Sequence, residues 1–280
     1  MYAYATVQNL LGTSVLNITG AAHDTRVRTL LETASQEVDR YLNRQVQPYV
    51  ATLYFSGRGG PVLNVPDLIA IVSIKEDDNG DGSFDATWGA NDYVLAPYNA
   101  NPTSPDGRPY QWVEVSQKSN GTQDEFWGGQ RNYQVVGTYG YQHATLTIGL
   151  TVSSSLSTTA TSITVSGSSS GTIDAGHTLI INGEHMYVQS STGTAATVRR
   201  GQNGSTPATL ASGSAIAMFQ YPAPISEAVL MHAGRLFKRA QAAFAGQSGA
   251  PDGGFEVFRA GLDWDVRDLL QTYRKPSIGV

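Results

Sequence analysis

Apolar residues recur along this chain with two different periods, and the places where the period changes divide it into blocks. In HDTRVRTLLETASQEVDRYLNR, the residues Val27, Leu30, Leu31, Ala34, Val38, Tyr41 and Leu42 return every three or four positions, the spacing of one helix face. Asp24 stands where an N-cap would accept a free backbone amide, and Pro48 lies just past the other end. Arg28, Glu32, Gln36, Asp39 and Asn43 make up the opposite, polar side. A helix with one buried and one solvated face is expected.

From Ala51 to about Gln142 the pattern becomes one of short strands and turns. Tyr54, Val62, Val65, the run LIAIVSI, Tyr93 to Leu95, Trp112 to Val115 and Tyr133 to Tyr141 read as strand material, separated by Gly, Pro, Asn and Asp. Leu150 to Phe219 is Ser/Thr-rich, yet Ile163 and Val165, Leu179 and Ile181, and Met186 and Val188 alternate with polar residues. Asn182-Gly183 is a two-residue hairpin signal, and ATVRR and SAIAMF supply further strands. After Pro222 the helical period returns in PISEAVLMHAGRLFKRAQAAFAG, with Ser226 near a cap position and Gly246 as a left-handed stop. GQSGAPDGG reads as a flexible link. A last helix begins at Asp263 and is stopped by Pro276, with Arg274 and Lys275 at its negative end.

These blocks predict an α+β protein. A helical bundle made from the N- and C-terminal helices carries an antiparallel β region (residues 1–149 and 220–280), and a small all-β module is inserted at 150–219.

Composition narrows the function classes. The 280 residues include no cysteine, which removes disulfides and thiolate metal sites. A net charge of −5 disfavours tight, broad binding to nucleic acid. MYAYATVQNLLG has no cation before Arg26 and no long apolar run, so no secretory signal is expected, and Leu68 to Ile74 is too short to span a bilayer.

Candidate chemistry is sparse. In EDDNGDGSFD, Asp77, Asn79 and Asp81 followed by Gly82 match the opening of a calcium loop, but the twelfth position, where a bidentate Glu is needed, is Trp88. SIKED and SFDAT are plausible paired strands, so DNGDG is expected to be their turn rather than a metal site. Gly167-Ser168-Ser169-Ser170-Gly171 fits the nucleophile-elbow pattern without the strand and helix that an elbow requires, and reads as a chance match. His23, His143, His177, His185 and His232 lack metal-ligand spacing, and His232 reads as a helix-surface or interface residue. Trp88, Trp112, Trp127 and Trp264 read as core or interface anchors. No catalytic residue, metal or cofactor is expected.

Several features in one order resemble the head–tail connector, or adaptor, proteins of long-tailed bacteriophages. They are ASQEVDRYLNRQ, VPDLIAIVSIKEDDNGDGSF, NDYVLAPYNA, VVGTYGY, the PISEAVLMHAGRLFKRAQAAFAG helix and GLDWDVRDLLQTYRKP. The segment INGEHMYVQS…VRRGQNGSTPATLASGSAI resembles a β module recurrent in phage structural proteins. The resemblance implies a non-enzymatic virion protein, made in the bacterial cytoplasm and placed in the neck. It would form a ring, typically of twelve copies, between the portal protein and the next neck or tail protein. Double-stranded DNA would pass through the lumen without specific binding, and no membrane is involved.

Carried over residue by residue, portal docking falls on Trp264, Leu269, Leu270, Tyr273, Arg274, Lys275, Pro276, Ser277 and Ile278. Subunit contacts fall on Arg28, Glu32, Asp39, Arg235 and Arg239. A second reading is a decoration or glycan-binding protein on the virion surface that uses the β insertion, whose candidate aromatics are Tyr187 and Phe219. A third, a hydrolase, rests only on Ser169 and scattered carboxylates.

Overall fold

A computed structural model describes residues 1–12, 23–117, 120–167, 172–241, 247–249, 255–257 and 261–276. The chain divides into two compact units, one of residues 1–44 and 145–280, the other of residues 45–144. The expected grouping differs from this division, since it joined the 51–142 strands to the helices and set the insertion apart.

The second unit is a six-stranded antiparallel sheet. Its strands are β1 (Tyr49–Phe55), β2 (Val62–Glu76), β3 (Ala86–Thr87), β4 (Tyr93–Ala96), β5 (Tyr110–Val115) and β6 (Tyr133–Tyr139). The order is β1-β6-β2-β5-β4, with β3 on the end of β2. Pro66 lies inside the long strand β2, where it could not donate to a ladder. The pairing with β5 shifts register between Asn64 and Leu68, across that proline. Leu68, Ile74, Val113, Phe126, Tyr133, Val135 and Tyr139 are wholly buried and form this unit's core.

The first unit contains a closed barrel. Strands β7 (Thr145–Val152), β8 (Ser162–Ser166), β9 (Thr178–Ile181), β10 (Glu184–Thr192), β11 (Ala195–Arg199) and β12 (Ala215–Phe219) close in the order β10-β11-β8-β7-β12-β9. The Ser/Thr tract folds because alternate residues, among them Val152, Ile163, Leu179, Ile181, Met186, Val188 and Ile216, fill the interior. Asn182 and Gly183 supply the two positive φ angles, 50° and 81°, of the tight β9–β10 turn. A Cβ on Gly167 would stand 2.6 Å from the Gly149 carbonyl, so Gly167 lets β8 end against β7. The rest of the GSSSG match, Ser168 to Gly171, lies outside the described residues.

Beside the barrel, and in the same unit, lie α1 (Val7–Leu11), α2 (Asp24–Leu42), α3 (Ala223–Gln241) and α4 (Trp264–Leu270). A short antiparallel ladder pairs β13 (Gln247–Gly249) with β14 (Phe255–Val257), where a plain link was expected. Two local expectations change. His23, not Asp24, is the N-cap of α2 and makes no side-chain cap bond, and Ser226 lies within the first turn of α3 instead of preceding it. Gly246 lies outside the described residues.

The expected class therefore needs correction. The protein is predominantly β, with a closed barrel and two further sheets, and is not a helical bundle. The apolar stripe of α2 is real, with Val27, Leu31, Ala34, Val38 and Leu42 wholly buried. Periodicity shows that such a stripe is covered and does not show by what. Barrel closure instead depends on pairings such as Thr147 with Ala217. Among the described residues no helix is long and apolar enough to cross a membrane.

Candidate functional site

Three residues of the polar side of α2 are engaged within its own unit, while Gln36 and Asn43 are exposed. Arg28 Nη1 donates to the Gln189 carbonyl of β10, and Arg28 Nε lies 3.4 Å from Glu32 Oε1. Tyr187 of β10 donates to that same Glu32 oxygen at 2.8 Å. Two turns further on, Asp39 accepts from the Tyr2 hydroxyl and, at 2.7 and 2.8 Å, from the Tyr4 hydroxyl. Burial, and then the charge of the neighbouring carboxylate, holds the Tyr2, Tyr4 and Tyr187 hydroxyls well above their ordinary pKa. Arg28, Glu32 and Asp39, expected on a subunit interface, thus tie α2 to the barrel and to the N-terminal segment.

His232 of α3 is also internal. It is buried, and its Nε2 lies 2.6 Å from Glu37 Oε2 of α2. Arg239 is half-buried on α3, and its Nε has no hydrogen-bond partner among the described residues.

Arg235 of α3 positions the C-terminal helix. Its guanidinium reaches Asp263 Oδ2 at 2.6 Å and forms a fork on Asp265, with Nη1 at 3.1 Å from Oδ1 and Nη2 at 2.9 Å from Oδ2. These bonds hold the Asp265 carboxyl below the usual range, against a smaller opposing effect of burial. Val266 and Leu270 are wholly buried, while Trp264 is 76% and Leu269 38% exposed. After a turn of 3-10 helix over Gln271–Tyr273, the chain crosses the end of α2. There the Arg274 guanidinium lies 5.3 Å from the Tyr41 ring centroid, and Lys275 N–H donates to the Leu42 carbonyl at 2.8 Å. Tyr273 is half-buried and Pro276 exposed. Ser277 and Ile278 lie outside the described residues.

Of the expected docking set, Leu270, Arg274 and Lys275 therefore hold the segment to its own subunit. Trp264 and Leu269 are the large apolar side chains it displays. α4 is pinned, and its outer side shows Trp264 and Leu269 beside the exposed charges of Arg267 and Asp268.

The acidic stretch after β2 turns a corner. Asp77 accepts from Gly80 N at 2.7 Å and Gly82 N at 2.9 Å, Asn79 from Asp81 N at 3.0 Å, and Asp81 from Ser83 N at 2.7 Å. Gly80 and Gly82 have φ of 76° and 89°, and Lys75 and Glu76 pair with Thr87 and Ala86. The side-chain oxygens that a cation would need are turned onto local amides. Trp88, at the position where a calcium loop places its last ligand, is buried and donates from Nε1 to Glu76 Oε2 at 3.0 Å. Among the described residues, no three His, Cys, Asp or Glu side chains converge as a metal site would require.

The barrel's two expected surface aromatics, Tyr187 and Phe219, are 0% and 5% exposed. Trp127, read from the sequence as a core or interface anchor, is 60% exposed in the sheet unit. Its only signal was the glycine-rich setting, GRGG at 57–60 and WGG at 127–129.

No family model matches the chain, and no curated protein matches it.

Proposed function

We propose that this chain is a non-enzymatic structural subunit of a bacteriophage neck, a head–tail adaptor that assembles as a ring beneath the portal. The observation that carries this reading is α4. A seven-residue helix is held by Arg235, Val266 and Leu270, yet presents Trp264 and Leu269 to solvent. Isolated exposed apolar residues are ordinary, but a largely exposed tryptophan on a pinned helix is a ready contact, because little further ordering accompanies its burial. Its place near the end of the chain agrees with the docking segment implied by the family resemblance. With Arg28, Glu32 and Asp39 engaged internally, α4 is the assembly contact this reading favours.

The acidic balance also suits a conduit. A net charge of −5 gives DNA little reason to stop, whereas dense cationic pairing with phosphates would slow its transit. The next neck or tail protein would bind the opposite side of the ring.

The test is deletion of residues 263–280 in the virus, with folding of the purified variant checked by circular dichroism. A folded variant that yields filled heads without tails is the expected result. Filled heads that still carry tails would overturn the reading.

A further inference from the structure

The sheet unit carries an exposed indole on a loop that the fold holds still. Phe126 points inward and stacks on Trp88 with ring centroids 4.5 Å apart, while its neighbour Trp127 is 60% exposed. The loop is fixed from both sides. Gly59 N–H donates to Phe126 O at 2.9 Å, and Phe126 N–H donates to Gly60 O at 2.7 Å. Gly129 N–H donates to Gly57 O at 3.1 Å, and Asn132 Nδ2 donates to Trp127 O at 3.0 Å. Position 57 admits no side chain, since a Cβ there would lie 2.7 Å from the Tyr133 ring and closer still to the Trp127 carbonyl. The backbone that carries this exposed ring is therefore set before any ligand arrives.

Trp127 lines an open groove of about 760 Å³, a size common among small-ligand sites, together with Asp78, Gln123, Gln130, Gly128 and Gly129. We infer that this groove binds a neutral saccharide, with one pyranose ring lying on the Trp127 indole. A pyranose presents a flat face of carbon-bound hydrogens, which suits the π face of tryptophan. Its hydroxyls both donate and accept, as do the amides of Gln123 and Gln130, and the Asp78 carboxylate accepts. The bare backbone of Gly128 and Gly129 permits close approach of the ring.

Other ligand classes fit this groove less well. Asp77 and Asp78 both line it and repel phosphates and other anions. An apolar ligand would cover amides and carboxylates without giving them partners. The site lies outside the Ser/Thr-rich barrel, whose own aromatics are buried, and the inference does not depend on the adaptor reading.

The full chain should be applied to an array of neutral and charged oligosaccharides, and each hit titrated by tryptophan fluorescence. The expected result is at least one neutral saccharide with a Kd of about 1 mM or tighter. Trp127→Ala should weaken it at least about tenfold and Trp127→Phe by less, with unchanged thermal midpoints, and Trp264→Ala should leave it intact. The inference is overturned if no neutral saccharide binds up to about 10 mM. It is equally overturned if a hit binds Trp127→Ala as tightly as the parent, or if anionic sugars bind better than their neutral counterparts.

Discussion

Arg200 holds Glu184 through two parallel contacts, Nε to Oε1 and Nη2 to Oε2, each 2.6 Å long, with both side chains almost wholly buried. The pair lies where β10 begins and just after β11 ends. Its remaining valences are met by backbone. Arg200 also donates to the carbonyls of Ser157 and Ala208, at 2.7 and 2.5 Å, and Glu184 accepts from the amides of Gly201 and Ala208, at 3.1 and 3.0 Å. One ion pair thus binds the Ser157 loop and the 200–208 loop to the barrel strands.

Removing one partner should leave the other charge buried and unmatched. Glu184→Leu and Arg200→Met are each expected to destabilise the first unit by about 3–5 kcal/mol. The double replacement Glu184→Leu with Arg200→Met should cost less than the two single changes added together, because no lone charge remains. Thermal or urea unfolding of the four proteins measures this coupling.

Acid should weaken the same unit in two steps. Burial pushes the His177 imidazole below its ordinary pKa, against the opposing charge of Asp174, and its Nδ1 accepts the Asp174 N–H at 3.0 Å. A lowered folded pKa means that the unfolded chain takes up the proton first. The stability contributed by neutral His177 is complete above about pH 6.5 and is lost as pH falls toward the folded value. Burial disfavours the Glu184 carboxylate, but Arg200 and the Ala208 and Gly201 amides outweigh it and hold the carboxyl low. Its contribution is present above about pH 4.3 and disappears as pH falls through the lower folded pKa. Thermal midpoints measured from about pH 8 to pH 3 should fall in both ranges. His177→Gln should shrink the upper step, to which His143, whose pKa burial also lowers, contributes as well, without altering the lower one.

Gly57 separates backbone strain from side-chain loss. A methyl group there meets the Trp127 carbonyl and the Tyr133 ring, neither of which can move without opening the 57–60 and 126–132 loops. Gly57→Ala is expected to destabilise the sheet unit by about 1–3 kcal/mol or more. Gly59→Ala meets no atom within 4 Å but must hold φ at 71°, so its cost is conformational and smaller, about 1 kcal/mol. Unfolding midpoints of the two variants give the comparison.

What could be read in advance was local. Asn182-Gly183 carries its own turn geometry, the stripe from Val27 to Leu42 its own helix, and DNGDG its own self-capped corner, because each is decided within a few residues. Barrel closure was not legible, since it pairs Thr147 with Ala217 and Leu179 with Met218, and alternation marks a buried face without naming a partner strand. The same limit explains the α2 surface. Arg28, Glu32 and Asp39 look solvated on a helical wheel, but Gln189, Tyr187, Tyr2 and Tyr4 reach them from distant parts of the chain. Trp127 reads from the sequence only as a core or interface anchor, because its exposure depends on Gly57, Gly60 and Asn132, none of which signals it alone.

The C-terminal helix offers a clean division between folding and assembly. Leu270 is wholly buried, so Leu270→Ala should destabilise the protein by about 2–5 kcal/mol through the cavity it leaves. Trp264 and Leu269 are exposed, and their replacement by alanine should alter stability by no more than about 0.5 kcal/mol. If α4 docks onto a neighbouring ring, the Trp264→Ala, Leu269→Ala double variant melts normally yet fails to join heads to tails, because contact energy concentrates in such aromatic anchors. Arg235→Gln should produce the same assembly defect with only a modest loss of stability. It frees Asp263 and Asp265, and so loosens the helix that presents the anchor without removing the anchor itself. Particle yields counted by electron microscopy beside melting curves would separate the two effects. Normal tail attachment in the double variant would show that the exposed face of α4 is not the docking surface.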